Sequence, residues 1–226
     1  MNLERTAKRG RTVLWAMVGF MACESILFRY AMPTDLAMQL TALMTGDYAQ
    51  QAVRFGQEIP LTEAAHRVFG ALMLALGMLQ FDAGLRRRRP SVHRAIGTAF
   101  ITLAMILSVT ALIIGLQQPF AGGPETLLTV MLVGSFLLML LTAVAQVRRR
   151  RFAAHREWMI RAYGFSLQVV VQRFLFPPMV LLGMPGPDAF MTSTILAALI
   201  ALAAAEWWLR VTRMPVPAAV PSAAPV

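Results

Sequence analysis

The residues best suited to chemistry are the three histidines of the chain, each followed directly by an arginine. Each pair lies near the start of a long apolar segment: His66-Arg67, His93-Arg94 and His155-Arg156. Neutral imidazoles on neighbouring helices can bind a haem iron from its two sides. A helix N-terminus disfavours the imidazolium form, and so it helps to keep an imidazole available as a ligand. The pattern therefore makes these histidines candidate haem ligands.

His93 and His155 form the best pair for one haem b. They open the third and the fifth apolar segments, and alternate spans of a membrane protein start at the same face. His66 opens the second segment, so it is expected at the opposite face without a histidine partner. Histidines at the ends of spans also meet headgroups, water or anions, and the sequence leaves this alternative open.

A second candidate site is centred on Arg161, which lies one to two turns inside the fifth apolar segment. Glu157 precedes it by four residues, which allows an ordinary ion pair along one helix. The alternative is that Arg161 joins Arg94, His93 and His155 to form an anion site at two helix N-termini. A haem propionate, a quinone oxygen, a lipid phosphate or a carboxylate would suit such a site.

Other polar side chains lie inside apolar segments. Glu24 in the first segment is expected to meet Arg173, Gln168 or Gln172 of the fifth, or to pair locally at the outer interface. Gln80 and Asp82 are expected to cap or pair with the arginines that follow them. Glu206 is expected to pair with the arginine one turn later.

The elements that must position these residues follow from the composition, which is 58% hydrophobic and only 14% charged. A soluble domain carries about 25% charged residues, and a membrane-spanning helix needs about 20 apolar residues. Six segments meet that length: residues 12–31, 62–85, 92–116, 125–147, 154–176 and 189–209. The predicted fold is therefore an all-α bundle of six spans. One transmembrane domain covers residues 12–214, between an N-terminal segment, 1–11, and a disordered tail rich in Pro and Ala, 215–226.

The orientation follows from the distribution of the basic residues, which give the chain a net charge of +10. With the N-terminus inside, sixteen Lys and Arg residues fall at inner ends of spans and four at outer ends. The positive-inside rule then places both termini in the cytoplasm of a bacterium, with the spans in its inner membrane. Anionic lipid headgroups are expected partners of the inner face. Nucleic acid is excluded, because no basic face lies outside the span ends.

The ends of the spans and the absent motifs add further expectations. Pro177 and Pro178 are expected to end the fifth span, because proline lacks an amide hydrogen and clashes with the preceding turn. Ser91 is a candidate N-cap of the third span. The single cysteine, Cys23, allows no intrachain disulfide, and no nucleotide-binding loop, HExxH or GxSxG motif is present.

Two stretches carry a family resemblance: HRVFGALMLALGMLQFDAGLRRRRPSVHRAIG, which begins at His66, and HREWMIRAYGFSLQVVVQR, which begins at His155. Together they resemble bacterial membrane proteins of domain-of-unknown-function family 2306. The resemblance covers about residues 62–174 and supports the span assignments, but it implies no activity. The matching positions are His66, Gln80, Phe81, His93, Arg94, Gly97, His155, Met159, Arg161 and Arg173.

A looser resemblance is to the di-haem membrane cytochrome b proteins that reduce ferric iron or quinone. Those proteins use two bis-histidine pairs on four helices. This chain has three histidines, none of them in the fourth span, so it is expected to hold one such haem at most.

The expected function is b-type haem or quinone-linked electron transfer at the cytoplasmic face, with Arg94 and Arg161 neutralising propionates. Two alternatives stay open. One is a transporter or a protein that binds an anionic lipid or small molecule through the same groups. The other is an accessory subunit of a membrane protein partner, without chemistry of its own. The sequence does not decide whether the protein is an enzyme.

Overall fold

The computed structural model describes residues 58–212 without interruption, and before them only residues 12, 15, 16, 18–20, 35, 36, 39 and 42. All regular structure in the described residues is helical, which confirms the all-α class. The helices of residues 58–212 are α1 (Pro60–Gln80), α2 (Ala83–Arg88), α3 (Pro90–Gln117), α4 (Gly123–Arg148), α5 (Phe152–Ser166), α6 (Gln168–Leu181) and α7 (Gly186–Thr212).

Several sequence-based expectations lie outside the described residues. They are the N-terminal segment 1–11, the tail 215–226, most of the first predicted span and the position of Glu24.

Four helical segments of the described chain are long and apolar enough to cross a membrane. They are α3, α4, the combined stretch Phe152–Leu181, and α7, and they coincide with the third to sixth predicted spans. The second predicted span, 62–85, is only partly matched: helix α1 has 21 residues, ends at Gln80, and is not among these four segments. Its first two turns carry Glu63, His66 and Arg67, and these polar residues make it less apolar than the other four.

The helices run antiparallel to their neighbours, so the bundle has two distinct ends. At one end, Gln80 of α1 meets His93 of α3, and His155 of α5 meets Ala143 of α4. Both four-arginine runs, 86–89 and 148–151, lie here, and this is the arginine-rich end. At the opposite end, the start of α1 meets the end of α3, since the His66 side chain contacts Thr110.

The core of the bundle forms where α1, α3 and α5 cross. Tyr163 of α5 is 4% exposed and its hydroxyl donates a hydrogen bond to the Leu74 carbonyl of α1, at 2.9 Å. Its ring packs edge-on against Phe100 of α3, with centroids 6.3 Å apart. Gly77 faces this ring so closely that a side chain there would overlap it. The absence of a Cβ therefore permits the close approach of α1 and α5.

Large apolar side chains cover much of the outside of the bundle. Leu138 of α4 is 68% exposed, and Val109 of α3 and Leu199 of α7 are more than half exposed. Water would oppose such a surface, whereas lipid tails accept it. The outward-facing residues therefore agree with a bilayer setting.

The structure corrects the expected start of the third span. Helix α3 begins at Pro90 with Arg89 as its N-cap, and no side chain caps it. Ser91 thus lies inside the first turn and is not the N-cap. Proline is well suited to the first helical position, because its fixed φ matches the helix. An amide N–H at that position would have no partner within the helix, so its absence costs nothing.

The expected end of the fifth span was also wrong. Pro177 and Pro178 lie inside α6, which continues to Leu181. Proline is tolerated in such helices when packing against neighbours compensates for the lost hydrogen bonds. Phe176 is buried and packs edge-on against Phe190 of α7, with centroids 5.9 Å apart.

The break in the fifth span lies ten residues earlier, at Leu167 between α5 and α6. Ser166 donates its hydroxyl to the Tyr163 carbonyl at 2.7 Å, and Gly164 lies two residues before it. A serine that bonds back to its own helix and a nearby glycine are recognised causes of helix kinks. Sequence reasoning followed the prolines and missed this weaker signal.

Candidate functional site

His155 is held in one orientation at the arginine-rich end. It lies in the first turn of α5, and its Nδ1 is 2.8 Å from the Ala143 carbonyl oxygen of α4. A carbonyl only accepts hydrogen bonds, so Nδ1 carries the proton in the neutral ring. The Nε2 lone pair then remains for a ligand. Metal-binding histidines are commonly fixed in this way, by donation of the other ring N–H to a backbone carbonyl.

His93 lies in the first turn of α3, and α1 fixes the backbone beneath it. The side-chain amide of Gln80 donates to the His93 carbonyl at 3.0 Å. A Cβ on Gly97, one turn further along α3, would come within 3.2 Å of the Gln80 Oε1 atom. The lack of a side chain at Gly97 thus leaves room for Gln80 to reach α3.

The His93 ring has an unmet hydrogen-bonding group. Its Nδ1 atom is buried and has no hydrogen-bond partner in the described part of the chain. The Oε1 atom of Gln146, on α4, is in the same condition. Gln146 is three residues from Ala143, so both lie on the face of α4 that meets α5. Two buried polar atoms without partners at one end of the bundle are suited to a bound polar group or water.

His93 and His155 are close enough to interact electrostatically, and Arg86 and Arg94 act on His93 as well. The structure therefore brings the two histidines to the same end, as their sequence positions predict. Arg94 itself is exposed to the surroundings.

Arg161 lies at the same end, but its charge is already balanced. It donates two hydrogen bonds to the Glu206 carboxylate of α7, at 2.5 and 3.3 Å. The Glu157 carboxylate is 3.7 Å away, as the four-residue spacing predicts. The guanidinium also lies over the Trp158 ring, 5.1 Å from its centroid. Two carboxylates leave Arg161 little net charge for an anionic ligand.

The sequence did not identify Glu206 as a partner of Arg161. The two residues lie 45 positions apart, and only the packing of α5 against α7 brings them together. That packing is close, because a Cβ on Gly164 would come within 2.8 Å of the Ala205 side chain.

His66 lies at the opposite end, away from the other two histidines. Its Nδ1 is 3.0 Å from the Thr110 hydroxyl of α3. That hydroxyl donates its one proton to the Leu107 carbonyl at 3.0 Å, so His66 Nδ1 must be the donor to Thr110. Arg67 pairs with Glu63 on the same helix. The exposed guanidinium of Arg173, on α6, lies near the His66 imidazole.

The other polar residues also have defined places. Asp82 caps α2, since its carboxylate accepts from the Leu85 amide at 2.8 Å, as expected. Gln80 binds the backbone of α3 and not the arginines.

Glu125 was missed by sequence reasoning: it is 8% exposed and its carboxylate accepts a hydrogen bond from the Ala121 amide at 2.6 Å. Its place, directly after a Gly-Gly-Pro turn, is a signal that could have identified it.

No cluster of three or more His, Cys, Asp or Glu side chains in the described ranges is placed to hold a bare metal ion. This finding applies to metal ions held by protein side chains alone. It does not apply to a haem iron, which needs only two protein ligands.

A family model described as "Predicted membrane protein (DUF2306)" matches residues 63–209, which is more than half of the chain. Comparison with curated proteins and with solved structures gives no significant match.

Proposed function

Since the chain belongs to the DUF2306 family of predicted membrane proteins, we propose that it is a six-span bacterial inner-membrane protein that holds one haem b and transfers electrons at its cytoplasmic face. The proposed ligands of the haem iron are His93 and His155. The proposed redox partner is a quinone or another membrane protein.

The proposed topology rests on the positions of the helices and the basic residues. Four helical stretches support it directly, because α3, α4, Phe152–Leu181 and α7 are long and apolar enough to cross the membrane. The proposal adds α1 and the apolar sequence 12–31 as the two remaining spans. The arginine-rich end carries both four-arginine runs, and the positive-inside rule assigns such an end to the cytoplasm.

Labelling from outside the cell tests this orientation. In a Cys23→Ser background, Met184→Cys lies between α6 and α7 and should react with a membrane-impermeant maleimide. Arg149→Cys, at the arginine-rich end, should react only after the membrane is opened. The reverse pattern would refute the orientation.

The observation that carries the haem proposal is the fixed imidazole of His155. Donation from Nδ1 to the Ala143 carbonyl leaves Nε2 as the ligand atom. His93 supplies the second imidazole from α3, with a buried Nδ1 that lacks a partner in the described residues. This donor chemistry fits a bis-histidine haem.

The residues around the two histidines have separate tasks. Gln80 holds the His93 backbone in register with α1, and Ala143 sets the tautomer of His155. Arg94 offers an exposed cation suited to a propionate, whereas Arg161 is held by Glu206 and orients α5 against α7. When bound, a haem iron supplies reversible one-electron exchange, with a potential tuned by its ligands and their surroundings.

An absorption spectrum tests the proposal. Detergent-purified protein, expressed with a haem precursor, should show a Soret band and a reduced α-band with about one haem per chain. His93→Gln and His155→Gln should each abolish these bands, because glutamine keeps polarity but loses the imidazole ligand. His66→Gln removes the remaining histidine at the opposite end, and it should leave the spectrum unchanged.

Two results would count against haem. A colourless, monodisperse wild-type sample would refute it, and so would a spectrum that persists in the His93 and His155 variants. Colourless protein that binds an anion through Arg94 would favour the transporter or binding-protein alternative. Protein that co-purifies with a partner and tolerates all three substitutions would favour an accessory subunit.

A further inference from the structure

A groove opens at the arginine-rich end, beside the short helix α2. Its volume is about 370 Å³, and it is lined by Leu79, Asp82, Gly84, Leu85, Arg88 and Arg89. Neither His93 nor His155 lines it. The groove combines an apolar wall with two cations, which is the combination that an amphipathic anion requires.

The cations of the groove are available to a ligand. Arg88 and Arg89 are exposed, and neither forms an ion pair with any carboxylate in the described residues. Asp82 is the one acidic residue of the lining, and its carboxylate is engaged with the Leu85 amide at the N-terminus of α2. Arg86 and Arg87 add two more exposed cations to the same helix. The local charge therefore stays positive.

The proposed topology places the groove at the depth where headgroups begin. Helix α1 ends at Gln80 and α3 starts at Pro90, so α2 connects two helices that cross the membrane in the proposed topology. Leu79 is 37% exposed on the last turn of α1 and offers an apolar surface beside the arginines. A ligand here would meet lipid tails on one side and water on the other.

The second arginine run includes an arginine at a position where the backbone disfavours any residue other than glycine. Arg150 follows the end of α4 and has a φ of 58°. The Arg151 amide bonds to the Gln146 carbonyl and the Arg150 amide to the Val147 carbonyl, which together form a Schellman motif. Glycine is the usual residue at that position, because it adopts positive φ without strain. An arginine at this position is consistent with a role for positive charge on this surface.

We propose that the α2 groove binds an anionic phospholipid of the bilayer, with its phosphate on Arg88 and Arg89 and its apolar part against Leu79 and Leu85. The proposal is independent of haem and rests only on the location of the arginine-rich end at the membrane surface. A bound lipid would anchor α2 and so fix the connection between α1 and the helix that carries His93.

Native mass spectrometry of detergent-purified protein tests the proposal. Dioleoyl phosphatidylglycerol should remain bound as one molecule per chain, whereas dioleoyl phosphatidylcholine, with the same chains but no net charge, should be lost. Arg88→Gln with Arg89→Gln should weaken phosphatidylglycerol binding by about fivefold for each arginine removed. The control, Arg148→Gln with Arg149→Gln, removes the same charge from the same end outside the groove and should retain the lipid.

A further variant separates lipid from free phosphate. Leu79→Ser keeps both cations, so it should weaken phosphatidylglycerol binding but not the binding of inorganic phosphate. Unchanged elution volume and helicity would show that each variant is folded. Equal retention of the two lipids would overturn the proposal, as would equal loss in both double-arginine variants, which would indicate a diffuse charge effect. Displacement of the lipid by millimolar inorganic phosphate would reassign the groove to a soluble anion.

Discussion

Replacement of Gly77 by alanine should destabilise the protein, although alanine is the better helix former. A Cβ at Gly77 would overlap the Tyr163 ring and lie 3.0 Å from the Phe100 ring. Tyr163 cannot move aside freely, because its hydroxyl is bonded to the Leu74 carbonyl and its ring also packs against Phe81, 5.3 Å away. The added methyl group must therefore separate α1 from α5.

The magnitude follows from three contributions. Overpacking of a close-packed core costs about 1–3 kcal/mol. Loss of the Tyr163 hydrogen bond would add about 0.5–1.5 kcal/mol. The change from glycine to alanine within a helix returns about 0.5–1 kcal/mol. The net expectation is a decrease of about 0.5–4 kcal/mol in the free energy of unfolding.

Gly134 provides a matched control on α4. It is also a helical glycine, but a Cβ there would have no neighbour within 4 Å. Gly134→Ala should therefore stabilise the protein by about 0.5–1 kcal/mol, since only the helix propensity changes. Each variant adds one methyl group to the unmodified protein. Opposite changes in the free energy of unfolding would therefore isolate the contact with Tyr163.

Unfolding by sodium dodecyl sulfate in mixed micelles, followed by helicity, measures both effects. If Gly77→Ala is as stable as the unmodified protein or more stable, the close crossing of α1 and α5 is wrong. If Gly134→Ala is equally destabilising, the loss at Gly77 reflects a general effect of glycine replacement and not the core.

Two further predictions concern local structure. Arg150→Gly should raise the free energy of unfolding by about 0.5–1 kcal/mol by relief of the positive φ, and Arg149→Gly, at a negative φ, should lower it. Thermal unfolding in detergent compares the stabilities of the two variants. If Arg149→Gly is the more stable, the Schellman assignment is refuted. Thr110→Val should lower the free energy of unfolding by about 1–3 kcal/mol, because the His66 imidazole N–H loses its acceptor. Thr142→Val, whose hydroxyl bonds only to its own helix, should change it by less than about 0.5 kcal/mol, and similar losses in the two variants would show that the His66 contact contributes nothing.

The sequence predicted the helices and the general location of the histidines for physical reasons that are local. A helix must present about 20 apolar residues to cross the bilayer, so composition alone shows where α3, α4 and α7 lie. Because spans alternate in direction, chain order alone assigns His93 and His155 to one end. The Glu157–Arg161 pair follows from helix periodicity in the same way.

Other features depended on competition between local preference and packing. Proline indicated a helix end at Pro177, but contacts between α6 and α7 carry the helix past it. The break fell at Leu167, where a serine and a glycine weaken the helix from within. Intrinsic preferences of about 1 kcal/mol or more are overcome when a buried face gains more from continuing.

The sequence by itself thus determined the membrane class, the family and the end of the bundle at which chemistry is expected. Only the tertiary structure decided which groups have partners. It showed that Glu206 neutralises Arg161, that the Ala143 carbonyl sets the His155 tautomer, and that the His93 ring nitrogen is left without a partner in the described residues. Those contacts depend on the rotation and axial shift of each helix against its neighbour. Glycines such as Gly77 and Gly164 set this rotation and shift, because they let the helices pack closely. No local pattern in the sequence encodes the resulting contacts.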